Sequence, residues 1–152
     1  MELYRICFRS KIEWKNVSPE LQKELDYSLT RIRRMNRRKG VTGALLMGNT
    51  HVLHYLEGKP GPVLDTLYCV MQDARVGEME AIFHEPAPAR LFPNSLMFFR
   101  DLTTLEVSQL HPALQFVVDR PSRISVDESM NALCCFSEEM RESRLTNGMM
   151  LV

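Results

Sequence analysis

Six cationic side chains, Arg31, Arg33, Arg34, Arg37, Arg38 and Lys39, fall in one short stretch and form the densest charged cluster of the chain. Such a cluster can meet the phosphates of a dinucleotide or of nucleic acid. At the C-terminal end of a helix it also complements the negative end of the dipole. With 19 Lys and Arg against 19 Asp and Glu, and no aromatic residues interleaved for stacking, nucleic acid is the disfavoured partner. The C-terminal region is acidic, with Asp127, Glu128, Glu138, Glu139 and Glu142. Basic helix against acidic helix, between protomers or with a partner protein, uses both surfaces. His51 and His54 are an odd number of residues apart, so on one strand their rings point to opposite faces and cannot share a ligand. His84 and His111 have no evident partners and read as surface or capping residues. Cys7, Cys69, Cys134 and Cys135 lie in apolar runs without C-x-x-C spacing, which predicts reduced, buried thiols in a cytoplasmic protein. There is no G-x-S-x-G, phosphate loop, H-E-x-x-H or paired-carboxylate motif, so the chain is not read as an enzyme. No apolar run is long enough to cross a bilayer, and no membrane partner is expected.

The elements that must position these residues follow from periodicity. Residues 3–9, LYRICFR, read as a strand. Ser18-Pro19 predicts a helix start with Ser18 as N-cap, and Leu21, Leu25, Leu29 and Ile32 continue with helical spacing to a stop at Lys39-Gly40. VTGALLMG and HVLHYLEG, separated by Gly48-Asn49-Thr50, predict a hairpin of two central strands. Pro62 opens a second helix that ends near Asp73. Strands near MEAIFHE and LMFFRDL follow, with a Pro- and Ala-rich connection between them.

The order βαββαββ suits an α+β, ferredoxin-like sheet with both helices on one face. Residues 103–152 supply cover for the other face: LEVSQLHPALQFVV, a turn at Pro121-Ser122, and a helix from Ser125 with Glu128 completing a capping box. Met130, Leu133, Cys134 and Met140 are its expected apolar positions. The chain thus divides into a domain at 1–102 and a helical extension at 103–152 packed on it, or used in an oligomer contact.

Four segments carry a resemblance in order and spacing: LYRICFRS, N-x-x-x-G-V-T-G-A-L-L from Asn36 to Leu46, L-E-G from Leu56 to Gly58, and R-L-F-P-x-x-x-M-x-F-R-D-L from Arg90 to Leu102. Together they resemble the BLUF family, sensors of blue light using FAD. The resemblance implies a flavin held between the two helices. It also implies a strand-one tyrosine as electron and proton donor, a glutamine that relays by rearranging its amide, and an asparagine that hydrogen-bonds the flavin.

In this chain the tyrosine position is Phe8, which has no hydroxyl, and the glutamine position is His54, whose ring has no carbonyl to exchange with an NH2 group. Asn36 and Met97 keep the family's asparagine and methionine, and Ser10 its serine. Ser95 stands at the tryptophan position, Met35 at a polar one, Cys69 at a cofactor-contacting arginine and Ser28 at an aliphatic residue that packs on the ring. If flavin is retained, its contacts are Asn36, His54, Met97, Ser28, Met35, Cys69 and Phe8. Met35, His54 and Cys69, with Met97 and Cys7 near them in such a fold, are soft donors of the kind copper(I) or haem iron takes. Core filling is preferred, and no metal is expected. The resulting expectation is a BLUF-like regulatory module without photochemistry and without a cofactor, acting through a homo-oligomer or a partner signalling protein. The alternative is a sensor that still holds FAD.

Overall fold

The computed structural model describes residues 2–147, with side chains as far as residue 141. Glu142 of the acidic series and residues 148–152 of the extension therefore lie outside the described side chains. Five strands, β1 (Leu3–Ile12), β2 (Thr42–Met47), β3 (His51–Gly58), β4 (Val76–Ala87) and β5 (Phe98–Asp101), form one sheet in the order β4-β1-β3-β2-β5. All neighbours are antiparallel except β2 and β5, which run parallel. This is the ferredoxin-like arrangement of β1 to β4 with β5 added beside β2, and β2 and β3 are central as the hairpin pattern predicts.

Strand parity divides the core. Ile6, Phe8 and Leu56 face α1 (Leu21–Lys39) and α2 (Pro60–Met71), where they pack with Leu29, Val41, Val63 and Met97. Cys7, Leu53, Tyr55, Ala44 and Leu46 face the other way, against α3 (Pro112–Asp119) and α4 (Val126–Asn147), with Leu114, Val117, Leu133 and Phe136. The C-terminal helices do cover the second face. Fully burying each such Leu or Phe contributes about 1.5–3 kcal/mol.

Local differences have physical causes. α1 starts at Leu21, not at Pro19, because Ser18 closes its own turn: its hydroxyl accepts from the Glu20 N–H at 3.1 Å, and its N–H donates to the Glu24 carboxylate at 2.6 Å. Gly40 then ends α1 at φ 67°, left-handed backbone that glycine takes without a Cβ penalty. α2 begins two residues earlier than Pro62, since Pro60 also suits a first turn. The capping box of α4 forms, with the Ser125 hydroxyl accepting from the Glu128 N–H and the Glu128 carboxylate accepting from the Ser125 N–H. Its buried stripe is wider than the apolar positions suggest, running through Ser129, Ala132, Leu133, Phe136 and Ser137.

Glu57 is the hub of the second face. Its fully buried Oε1 accepts from the Leu91 N–H at 2.6 Å and the Tyr55 hydroxyl at 3.1 Å, and its Oε2 from the Phe92 N–H at 2.7 Å and the Thr42 hydroxyl at 2.9 Å. Arg90 seals the same corner, donating to Thr42 Oγ1 and the Gly40 carbonyl at 2.8 Å each. The L-E-G glutamate is thus structural: it fastens the segment before β5 to β3.

Candidate functional site

Phe8, His54, Ser10, Asn36 and Met97, of the residues singled out in the sequence, lie at the floor beneath α1 and α2. Phe8 and His54 are opposite one another across β1 and β3. Their rings stack, with centroids 4.3 Å apart and 13° between planes. Two residues further along β1, on the same face, Ser10 Oγ meets His54 Nε2 at 2.8 Å in a buried contact. Burial holds the His54 imidazole neutral, with its pKa pushed from 6.5 down to about 3. A buried Ser–His pair invites a nucleophile reading, but Ser10 is 1% exposed and unreachable by a substrate.

Asn36, Arg33 and Ser95 pin the entry to β5. Asn36, buried in the last turns of α1, donates from Nδ2 to the Leu96 carbonyl at 2.5 Å. Arg33, one turn earlier, donates from Nε and Nη2 to the Met97 carbonyl at 3.1 and 3.0 Å. The Met97 side chain joins the core beneath the helices. Ser95 is buried and donates to the Gly43 carbonyl at 3.3 Å, which ties the same segment to β2.

Ser28 and Met35 have other surroundings. Ser28 Oγ accepts from Arg75 Nη1 at 2.6 Å. Arg75 follows α2, and it also holds Asp73 at 2.6 Å and Glu24 at 3.3 Å, so one guanidinium joins the end of α2 to the first half of α1. Hydrogen bonding to Arg75 holds the Asp73 carboxyl below its ordinary range. Replacing Arg75 by Leu is expected to cost about 1 kcal/mol, since the bridges are part-exposed, and to speed amide exchange at 73–75. Unchanged exchange there would show that the bridge restrains nothing. Met35 is half-buried beside Asn36.

The soft-donor grouping does not assemble. Cys69 is exposed, contrary to the expectation of a buried thiol, because its position in α2 turns it away from the sheet. Cys7 faces the opposite core from Phe8, as its odd position on β1 requires. Burial pushes its thiol pKa up. Among the described residues there is no cluster of His, Cys, Asp and Glu suited to a metal. His51 lies on the far face from His54, beside Arg9 and Lys11. His111 caps α3, accepting from the Ala113 N–H at 3.1 Å, and His84 has a partner the sequence did not disclose, the Tyr4 hydroxyl at 2.7 Å. The partners of Arg33, Arg75 and Arg90 were likewise not disclosed, because an arginine's reach carries no short-range sequence signal.

The fold has counterparts among known proteins. The family model described as "Sensors of blue-light using FAD" matches residues 3–98. The chain belongs to the BLUF family. BlrB, a BLUF protein in its dark state, superposes with a TM-score of 0.74 at 23% identity, covering 91% of this chain and 97% of that one. BlsA in its photo-activated state gives 0.71 at 18% identity, covering 87% and 94%. A bacterial light-regulated adenylyl cyclase gives 0.62 at 20% identity, over 93% of this chain and 36% of that one. At such identities the likeness is one of fold. No curated protein sequence matches the chain.

BLUF membership implies FAD, and the side chains beneath α1 and α2 do not fit the flavin switch. Phe8 has no hydroxyl, the His54 ring is stacked and tied to Ser10, and Ser28 is held by Arg75. Of the described helices, none is long and apolar enough to cross a membrane.

Proposed function

We propose that this chain is a BLUF-fold regulatory module without blue-light photochemistry, non-catalytic, acting through contacts with a second copy or a signalling partner. The Phe8–His54 stack closed by Ser10 is the observation that supports this reading. Electron transfer coupled to proton transfer needs an ionisable hydroxyl at the first position, and a phenyl ring supplies none. The relay needs a group whose donor and acceptor ends exchange by rotation, and a neutral, buried imidazole already hydrogen-bonded to Ser10 has no such end.

A second reading, a sensor that keeps FAD, is supported by Asn36 and Met97, both buried at the family's positions. The visible spectrum of the purified protein separates the two. The first reading expects no flavin bands and no binding of added FAD. Bound flavin would sink it, and a reversible red shift under blue light would sink the account of Phe8 as well. The double variant Phe8→Tyr with His54→Gln is expected to stay insensitive to light, because Ser28 and Cys69 remain. A light response in it would show that the region was never remodelled.

A further inference from the structure

The outer surface of α1 serves neither the fold nor the site. Arg5, Arg9, Arg75, Arg100 and Arg120 each hold a carboxylate. By contrast Arg31, Arg34, Arg37 and Arg38 are exposed, and among the described residues they form no ion pair. Tyr27, Arg31, Arg34 and Arg38 recur at helical spacing and so run along one outward side of α1. Tyr27 is 72% exposed.

α2 adds an apolar component. Leu64, Tyr68 and Met71, again at helical spacing, are 50%, 64% and 57% exposed. Both helices lie on the same side of the sheet. They run antiparallel: Arg75, just past α2, reaches Glu24 and Ser28 in the first half of α1, while Gly40, just past α1, abuts Gly58 before α2. Tyr27 is therefore at the same end of the molecule as Tyr68 and Met71, and the arginines extend from it toward Lys59 at the other.

We infer that this α1–α2 face docks an acidic amphipathic helix of a partner protein. The inference rests on the reading of the chain as a protein-contact module and supplies the chemistry of the partner. Charge complementarity carries it, since a row of unpaired guanidiniums on successive turns matches carboxylates at i and i+4 of a facing helix. Exposed Tyr and Arg are the residue types on which protein interfaces concentrate their energy.

A second copy fits this face poorly. In α4, Glu128 and Glu139 are already held by Arg120 and Arg100, which leaves Asp127 and Glu138 among the described side chains. α4 also lies on the opposite side of the sheet from α1, so α4 docked on α1 could not be reciprocated by the same pair of molecules and would build rings or open chains rather than a dimer. Nucleic acid would leave the exposed apolar Leu64 and Met71 unused.

The test is fluorescence anisotropy on the full chain with three labelled probes. These are a synthetic helix carrying Glu at i,i+4 on one side and Leu on the other, its Lys-for-Glu counterpart, and a DNA duplex. The acidic peptide is expected to bind, and the Lys peptide is not. Arg34→Glu with Arg38→Glu should weaken binding at least about tenfold, and Tyr68→Ser about tenfold. Arg34→Lys with Arg38→Lys should weaken it less. Failure of the acidic peptide to bind overturns the inference. So does duplex binding that matches the peptide's and is indifferent to Tyr68→Ser, which would make the face a polyanion site. Concentration-dependent self-association abolished by Arg34→Glu would assign it to a second copy instead. Because none of these probes depends on colour, a flavin-bearing protein that binds the peptide and a colourless one that does not would fail different proposals.

Discussion

Glu57→Gln is expected to destabilise the protein by about 3 kcal/mol or more, nearly as much as Glu57→Ala. A buried group left without its hydrogen bond costs about 1–3 kcal/mol, and Glu57 satisfies the N–H groups of Leu91 and Phe92 and the hydroxyls of Tyr55 and Thr42 at once. Alanine orphans all four. Glutamine has the right shape but must place an NH2 group on one side, and on either side it faces a main-chain N–H that also donates. Conservative size therefore brings no rescue. Against a total stability of about 5–15 kcal/mol for a domain of this kind, the loss is large. Urea denaturation measures it, and a difference below about 1 kcal/mol for Glu57→Gln would show that the carboxylate is not the hub described.

The second large effect is a pH dependence. His54 has a folded-state pKa of about 3 against an ordinary value of 6.5, lowered by desolvation in the core. Above pH 6.5 both folded and unfolded chains carry it neutral, and its burial has no linkage cost. Between 6.5 and about 3 the unfolded chain binds a proton that the folded chain refuses, so stability rises with pH and is lost on acidification. The slope approaches about 1.4 kcal/mol per pH unit, for a total of roughly 3–5 kcal/mol by the acid end. Carboxylates contribute to acid unfolding too, so the informative quantity is a difference. In His54→Gln the extra slope between pH 6.5 and 4 should vanish while the carboxylate slope remains. Identical slopes in the two proteins would mean that His54 protonates in the folded state, and that the stack with Phe8 opens to allow it.

The architecture was legible because its signals are periodic. Alternation in LYRICFR and the paired runs around Gly48-Asn49-Thr50 specify strands, and apolar spacing after Leu21 and Pro62 specifies helices. Position and parity together also foretold that His51 and His54 would part to opposite faces, and Ser125 with Glu128 foretold the start of α4. The direction of the Cys69 side chain and the depth of Phe136 were not legible, since both depend on how a helix rolls against its neighbours. Nor was the bridge from Arg75 to Ser28, which joins residues 47 apart in sequence. At the floor of the site, residue identity alone drew attention to Phe8 and His54. That the two rings meet face to face, with Ser10 as the third member, required the register of β1 on β3.

That register separates what a lineage can change from what it must keep. Along β3, His54 and Leu56 report to one core while Leu53, Tyr55 and Glu57 report to the other. Adjacent codons thus answer to different demands. A substitution at an even position can therefore recast the floor beneath α1 and α2 without disturbing the carboxylate that fastens the chain.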